Sequence, residues 1–286
     1  VSVFSESPAA FKAPAYIFQL ISMGAQFQPS PQEIEALWHS LRPYSGVLAM
    51  GPHAPTLALA MPQAQATERN GEQLVRKQGA LLGSGDWTHV YGDMGNTVKS
   101  DDSLIKLPLG VLWFGGNSNL EVLPRHGHGP PEQVVGGRLV IEGMDMISAR
   151  DVYTGRVLWK KTYKELGNYG VYYDKTYKDT PLSTAYNQVH IPGAAGRGTN
   201  YVALHDKVYV LEGSVCHIID AATGRDLRDV DIPRDAAGNE QAWGFIGLEQ
   251  DYLIGGTGFA NYSKKAAVKA TNSWMKNIDL SGSNGL

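Results

Sequence analysis

The chain has 286 residues, of which 43% are hydrophobic and 19% charged, a composition that excludes a disordered or fibrous protein. Gly 33 and Pro 15 together make about 17% of the chain, against roughly 12% in an average protein, which favours a turn-rich, largely β fold. A formal net charge of -3, with no Lys/Arg run longer than a pair, argues against nucleic acid as a partner. The single Cys216 excludes an intrachain disulfide, and no apolar run reaches the ~20 residues of a membrane span.

Residues 1–82 have the pattern of a small α/β segment. The apolar run at 15–21 predicts a buried strand, and the sequence Ser-Pro-Gln-Glu at 30–33 is a capping box that begins a helix. Apolar residues then recur at helical spacing, which predicts one buried helix face: Ile34, Leu37, Trp38 and Leu41. Pro43 ends the helix, and the apolar run at 46–50 predicts a second buried strand. Strand, helix and strand together form a βαβ-like unit.

From residue 83 onward, short apolar runs alternate with Gly, Pro, Asn and Asp, which is typical of strands and turns. The segments 138–156 and 207–225 share one pattern, in which an apolar strand begins 13 residues before an Asp-x-x-Thr-Gly-Arg turn. The second copy follows the first by 69 residues, and a further strand begins at Asp251, 45 residues after Asp206. A four-stranded propeller blade has ~40 to 45 residues. We therefore predict propeller blades with an inserted loop at 163–181. An exposed β-hairpin is the favoured interpretation of this loop, and the alternative is that its tyrosines stack on a sugar, a base or a partner protein.

The recurring turn has a physical reason. Its Gly can adopt the positive φ of a tight turn, and its Asp can accept hydrogen bonds from the backbone of the turn. Five residues after Thr154 stands Trp159, where we expect an aromatic side chain buried against the next blade. The equivalent residue of the second copy is Arg228. We therefore expect the packing beyond the second blade to be weaker, or supplied by another residue.

The segment 149–159 and its partial copy at 218–225 resemble the repeat of the quinoprotein-type propellers, the PQQ-like repeat family. Further segments resemble large bacterial proteins, notably of planctomycetes, in which such a propeller follows a class I methyltransferase-like domain: 85–89, 91–93, 112–116 and 124–130. The resemblance implies a mainly β fold. A small α/β segment similar to the end of a methyltransferase fold (1–82) precedes PQQ-like blades (83–286) that are incomplete at the C-terminus. On this interpretation the chain is a fragment and its blades form an open arc.

A cluster at Arg125, His126 and His128 is the strongest candidate for chemistry. Alternate residues of an extended segment point the same way, so the two imidazoles could share a metal ion, with His89, His190 or His205 as candidate third ligands. A hydrogen-bonded structural loop is the favoured interpretation, and no metal site is predicted. Four carboxylates that lack the spacing of an EF-hand calcium loop are predicted to serve in turns and caps: Asp86, Asp93, Asp101 and Asp102.

The resemblance implies three functions. Quinoprotein dehydrogenases of this kind use a vicinal disulfide beside the quinone, which a single cysteine cannot form. Class I methyltransferases bind S-adenosylmethionine at a Gly-rich turn, and none precedes Ala15. We therefore expect a non-catalytic binding or scaffolding module without a cofactor, whose partner is a protein or a small-molecule ligand. The alternatives are a quinone- or metal-dependent oxidoreductase with its site in the propeller funnel, and a methyltransferase whose cofactor-binding half lies upstream.

Overall fold

The computed structural model describes residues 6, 8–24, 26–51, 58, 60–116, 121–122, 132–143, 145–163, 166 and 201–257. This part of the chain contains helices α1 (Pro8–Phe11) and α2 (Pro31–Ser40) and the strands β1 to β14. Two compact units are formed, one of Val1–Ser84 with Ser103–Trp113, the other of Gly85–Asp102 with Phe114–Leu286. Neither described helix has the length and apolar character needed to cross a membrane.

The first unit contains a four-stranded mixed sheet in the order β1-β2-β4-β3. Its strands are β1 (Leu20–Ser22), β2 (Val47–Met50), β3 (Ala64–Arg69) and β4 (Glu72–Lys77). Strands β1 and β2 pair in parallel with α2 between them in the chain, which confirms the βαβ-like unit. The other pairs are antiparallel. The similarity of this unit to a methyltransferase fold stays a prediction.

The first strand is shorter than predicted. The sequence pattern predicts a strand over 15–21, but regular pairing begins only at Leu20, with a single bridge at Phe18 before it. Tyr16 has a φ of 62°, in the left-handed region that a β-strand does not use. The apolar run therefore starts as a loop.

Helix α2 begins and packs largely as its sequence predicts. The Ser30 N–H donates to the Glu33 carboxylate at 2.9 Å, and the Glu33 N–H donates to Ser30 Oγ at 3.3 Å, so both bonds of the capping box form. Leu37, at the margin of the apolar face, is only half-buried. The remaining residues of that face are buried in the core of the unit: Ile34, Trp38 and Leu41.

The second unit contains two antiparallel four-stranded sheets in which the strands follow chain order. The first sheet consists of β5 (Gln133–Val135), β6 (Arg138–Gly143), β7 (Met146–Asp151) and β8 (Val157–Thr162). The second consists of β9 (Tyr201–Ala203), β10 (Lys207–Glu212), β11 (Val215–Asp220) and β12 (Asp226–Asp231). A hairpin of β13 (Trp243–Glu249) and β14 (Tyr252–Thr257) follows. Strand β14 lies where the third repeat predicts a strand, and the chain is mainly β.

The two sheets repeat one another in register. Arg138 pairs with Asp151 in the first sheet, and Lys207, 69 residues later, pairs with Asp220 in the second. A register shift between β7 and β8 recurs at the equivalent place between β11 and β12. The predicted equivalence of the two hairpins is therefore confirmed.

The Asp-x-x-Thr-Gly-Arg turns have the predicted conformation. In each turn Oδ1 of the aspartate, Asp151 or Asp220, accepts from the backbone N–H groups two and three residues later. Gly155 and Gly224 have φ values of 70° and 71°, a conformation that costs other residues ~1–2 kcal/mol. The turn recurs because its bonds are local and its conformation requires glycine.

Trp159 packs the first sheet against the second, as predicted. Its side chain is 7% exposed, and its Nε1 donates to the Ala221 carbonyl at 3.0 Å. The ring lies on Gly224, where an added Cβ would stand only 2.8 Å from it. At the equivalent place Arg228 is exposed. The second sheet packs against the β13–β14 hairpin through another cluster: Val202, Leu211, Cys216, Ile246 and Leu248.

Tyr163 corrects the prediction of an exposed hairpin at 163–181. Its side chain is only 4% exposed, and its ring stacks on His217 at a centroid distance of 5.0 Å. Tyr163 belongs to the hydrophobic cluster between the two sheets. The first residue after β8 is therefore buried in the core. Residues 167–181 of the predicted hairpin lie outside the described residues.

Candidate functional site

The catalytic candidates Arg125, His126 and His128 lie outside the described residues, as does His190. Their predicted roles therefore stay predictions. His89 and His205, named above as candidate third ligands, are described, and both are engaged in hydrogen bonds within the second unit.

His89 connects two parts of the second unit. Its side chain is buried, Nδ1 lies 2.8 Å from Thr88 Oγ1, and Nε2 accepts from the Leu248 N–H at 3.0 Å. Burial lowers the pKa of His89, and the nearby Asp93 charge opposes this in part. The neutral imidazole, with a proton on Nδ1 and an acceptor at Nε2, fits these contacts. His89 therefore serves as a fixed connector of the loop to β13.

The other polar candidates take part in turns and surface pairs. His205 Nε2 lies 2.9 Å from Asp86 Oδ2. Asp93 accepts from the Thr97 N–H at 3.1 Å and from its hydroxyl at 2.6 Å, and these bonds lower the pKa of Asp93. The remaining two predicted turn carboxylates contact the Lys99 ammonium and the Gly85 N–H, respectively: Asp101 and Asp102. Within the described ranges, no three His, Cys, Asp or Glu side chains are placed to hold a metal ion.

The single cysteine is a core residue. Cys216 is fully buried beside Ile246 and Leu248, and burial raises the pKa of its thiol to about 12. A thiol nucleophile reacts as the thiolate. Cys216 therefore stays protonated at neutral pH and serves in packing.

A long apolar segment is exposed at residues 104–114, which we call the apolar segment. Trp113 is half-buried, and the other large apolar side chains are between 42% and 92% exposed: Leu104, Ile105, Leu107, Leu109, Val111, Leu112 and Phe114. Isolated exposed apolar side chains are ordinary in proteins, but a contiguous group of this size marks an interaction site. The apolar segment is therefore the strongest candidate for function among the described residues.

The backbone of residues 106–112, in the middle of the apolar segment, is also open to a partner. The segment forms neither helix nor strand. The residue before the segment, Ser103, is fixed in place, since its N–H and Oγ donate to the Gly83 carbonyl at 2.8 and 3.1 Å. From Lys106 to Leu112, no backbone hydrogen bond joins the segment to another described residue. Free N–H and C=O groups beside apolar side chains allow a segment to add to a sheet of another protein.

Sequence reasoning did not identify this segment as a site. Eight large apolar residues in eleven positions have the composition of a buried strand. Only the three-dimensional structure shows that none of the described sheets includes them. A sequence signal was nevertheless present, because Pro108 and Gly110 interrupt the run where a central strand would not tolerate them.

Comparisons with known proteins give similarities to solved structures only. No protein-family model and no curated protein matches the chain. The quinohemoprotein alcohol dehydrogenase from Comamonas testosteroni is 18% identical with a TM-score of 0.39, over 61% of this chain and 23% of that one. BamB from Moraxella catarrhalis is 13% identical with a TM-score of 0.29, over 44% of this chain and 33% of that one. A europium-containing methanol dehydrogenase is 13% identical with a TM-score of 0.37, over 61% of this chain and 27% of that one. The chain thus spans a third or less of the length of these proteins.

Proposed function

We propose that the chain is a non-catalytic protein-binding module built on PQQ-like propeller repeats, and that a protein partner binds the apolar segment. The observation that carries the proposal is the exposure of that segment, which reaches 85% at Leu107, 80% at Val111 and 92% at Phe114. Removal of apolar surface from water contributes ~25 cal/mol per Å². A partner that covers these side chains gains this free energy, which folding has left unused.

The sheets support the repeat part of the proposal. On this interpretation β5–β8 and β9–β12 are two successive blades, since both are antiparallel, follow chain order and share one register. Strands β13 and β14 are then the first two strands of a third blade, because β14 follows β10 by the 45 residues expected of one blade.

The contacts of the described residues favour binding over catalysis. His89 is held between Thr88 and Leu248, and Cys216 is buried as a thiol. Each of these groups already has a structural role, whereas Leu107, Val111 and Phe114 of the apolar segment remain at least 80% exposed. The oxidoreductase and methyltransferase alternatives rest on residues outside the described ranges and on sequence upstream, and no contact described above favours either.

Site-specific photocrosslinking tests the proposal. The photoreactive residue p-benzoylphenylalanine replaces Val111 in the full chain, which is then irradiated in cells and analysed by mass spectrometry. We expect a discrete adduct to one protein. The control places the same residue at Tyr252, which is 71% exposed outside the apolar segment, and we expect that adduct to be absent there. Identical adducts from both positions, or no protein adduct from Val111, would overturn the proposal.

A further inference from the structure

Lys77, the last residue of β4, places a buried ammonium group in the first unit. The residue is 5% exposed. Its Nζ donates to the carbonyls of Trp38 at 3.0 Å and Leu41 at 3.3 Å, at the end of α2. Nζ also lies 5.4 Å from the ring centroid of Tyr16 and 5.6 Å from that of Trp38. Two of the three ammonium N–H groups are therefore bonded to the helix end.

These two hydrogen bonds satisfy carbonyls at the end of α2, but they do not neutralise the positive charge of the Lys77 ammonium group. No carboxylate in the described part of the chain forms an ion pair with Lys77. A buried charge costs several kcal/mol unless an opposite charge accompanies it. Consistent with an uncompensated charge, burial lowers the pKa of Lys77. The site thus has one N–H donor and a positive charge that an anion could satisfy.

A pocket of about 310 Å³ opens beside Lys77. This volume lies at the lower end of the ~300–1,000 Å³ of ligand sites, which combine apolar walls with a few polar groups. The walls of this pocket are mostly apolar or aromatic: Tyr16, Trp38, Met61, Pro62, Leu81 and Leu82. The exposed Glu35 and His39 and the half-buried Gln63 also line it. An anionic head at Lys77 and an apolar body along these walls would fill it.

We propose that this pocket binds a small monocarboxylic acid with an aromatic or aliphatic body. The carboxylate accepts the third N–H of Lys77, and the body packs against Trp38 and Met61. Glu35 would repel a second negative charge on the ligand, so monocarboxylates are preferred over dicarboxylates. This site is independent of the apolar segment.

Calorimetric titration of the whole chain with 3-phenylpropionate tests the proposal. We expect saturable binding, and at least tenfold weaker binding of the uncharged 3-phenylpropanol and of the dicarboxylate phenylsuccinate. The alcohol keeps the apolar body and lacks the charge, so this comparison needs no variant. Equal affinity for acid and alcohol, or no saturation by the acid at 10 mM, would overturn the assignment.

Two variants locate the site. Lys77→Met keeps the length of the side chain and removes its charge, and we expect it to weaken binding of 3-phenylpropionate at least tenfold. Lys99→Met is the matched control, because the Lys99 side chain is 75% exposed and lies in the second unit. Its affinity should equal that of the wild type. An unchanged affinity in Lys77→Met would place the ligand elsewhere and refute the proposal.

Discussion

Trp159→Ala should strongly destabilise the second unit. The substitution removes a ring that is 7% exposed and leaves the Ala221 carbonyl without the donor that bonds it at 3.0 Å. Truncation of a core aromatic costs ~3–5 kcal/mol, and an unsatisfied buried acceptor costs ~1–3 kcal/mol. We therefore expect a loss of at least ~4 kcal/mol in the free energy of unfolding. Trp159→Phe keeps most of the ring and loses the N–H, so ~1–3 kcal/mol is expected.

Urea unfolding followed by circular dichroism measures these losses. The matched control is Arg228→Ala, since Arg228 stands at the position equivalent to Trp159 in the second sheet and is exposed. An exposed substitution of this kind should change the free energy of unfolding by no more than ~0.5 kcal/mol. Similar small losses in Trp159→Ala and Arg228→Ala would refute the role of Trp159 in joining the sheets.

Three further results are expected. Gly224→Ala should cost ~1–3 kcal/mol more than Gly213→Ala. Both glycines have positive φ, 71° and 60°, but only Gly224 faces a ring, at 2.8 Å; equal losses in urea would contradict this. Stability should decline as the pH falls below ~6.5, because the lowered pKa of folded His89 makes the unfolded chain bind the proton more tightly. His89→Gln should reduce that pH dependence, and an identical pH dependence in the variant would exclude His89 as its source. Trp38→Ala should cost ~3–5 kcal/mol, and an unchanged denaturation midpoint would show that the helix face is not packed.

The repeat was predictable because its determinants are local. The bonds of each Asp-x-x-Thr-Gly-Arg turn join residues within the turn, and its glycine has the positive φ that few other residues adopt. The capping box of α2 is local in the same sense, because Ser30 and Glu33 bond to each other. Short-range chemistry of this kind can be recognised in one sequence.

Features that depend on distant residues were not predictable. Tyr163 is buried because His217 and the facing sheet cover it. Lys77 can be buried because carbonyls at the end of α2, 36 and 39 residues earlier, accept hydrogen bonds from its ammonium group. The apolar segment has the composition of a core strand, but it joins none of the described sheets and most of its large side chains are exposed. Both candidate binding sites therefore emerge from tertiary structure.

The affinity of the crosslinked partner for the purified chain tests the central claim most directly. The binding-module account predicts that the triple variant Leu107→Ser/Val111→Ser/Phe114→Ser binds that partner at least ~100-fold more weakly, since such losses follow removal of buried interface anchors. Because the three side chains are at least 80% exposed in the chain alone, each substitution should change the free energy of unfolding by less than ~0.5 kcal/mol. An unchanged Kd, or a variant that unfolds, would contradict the account.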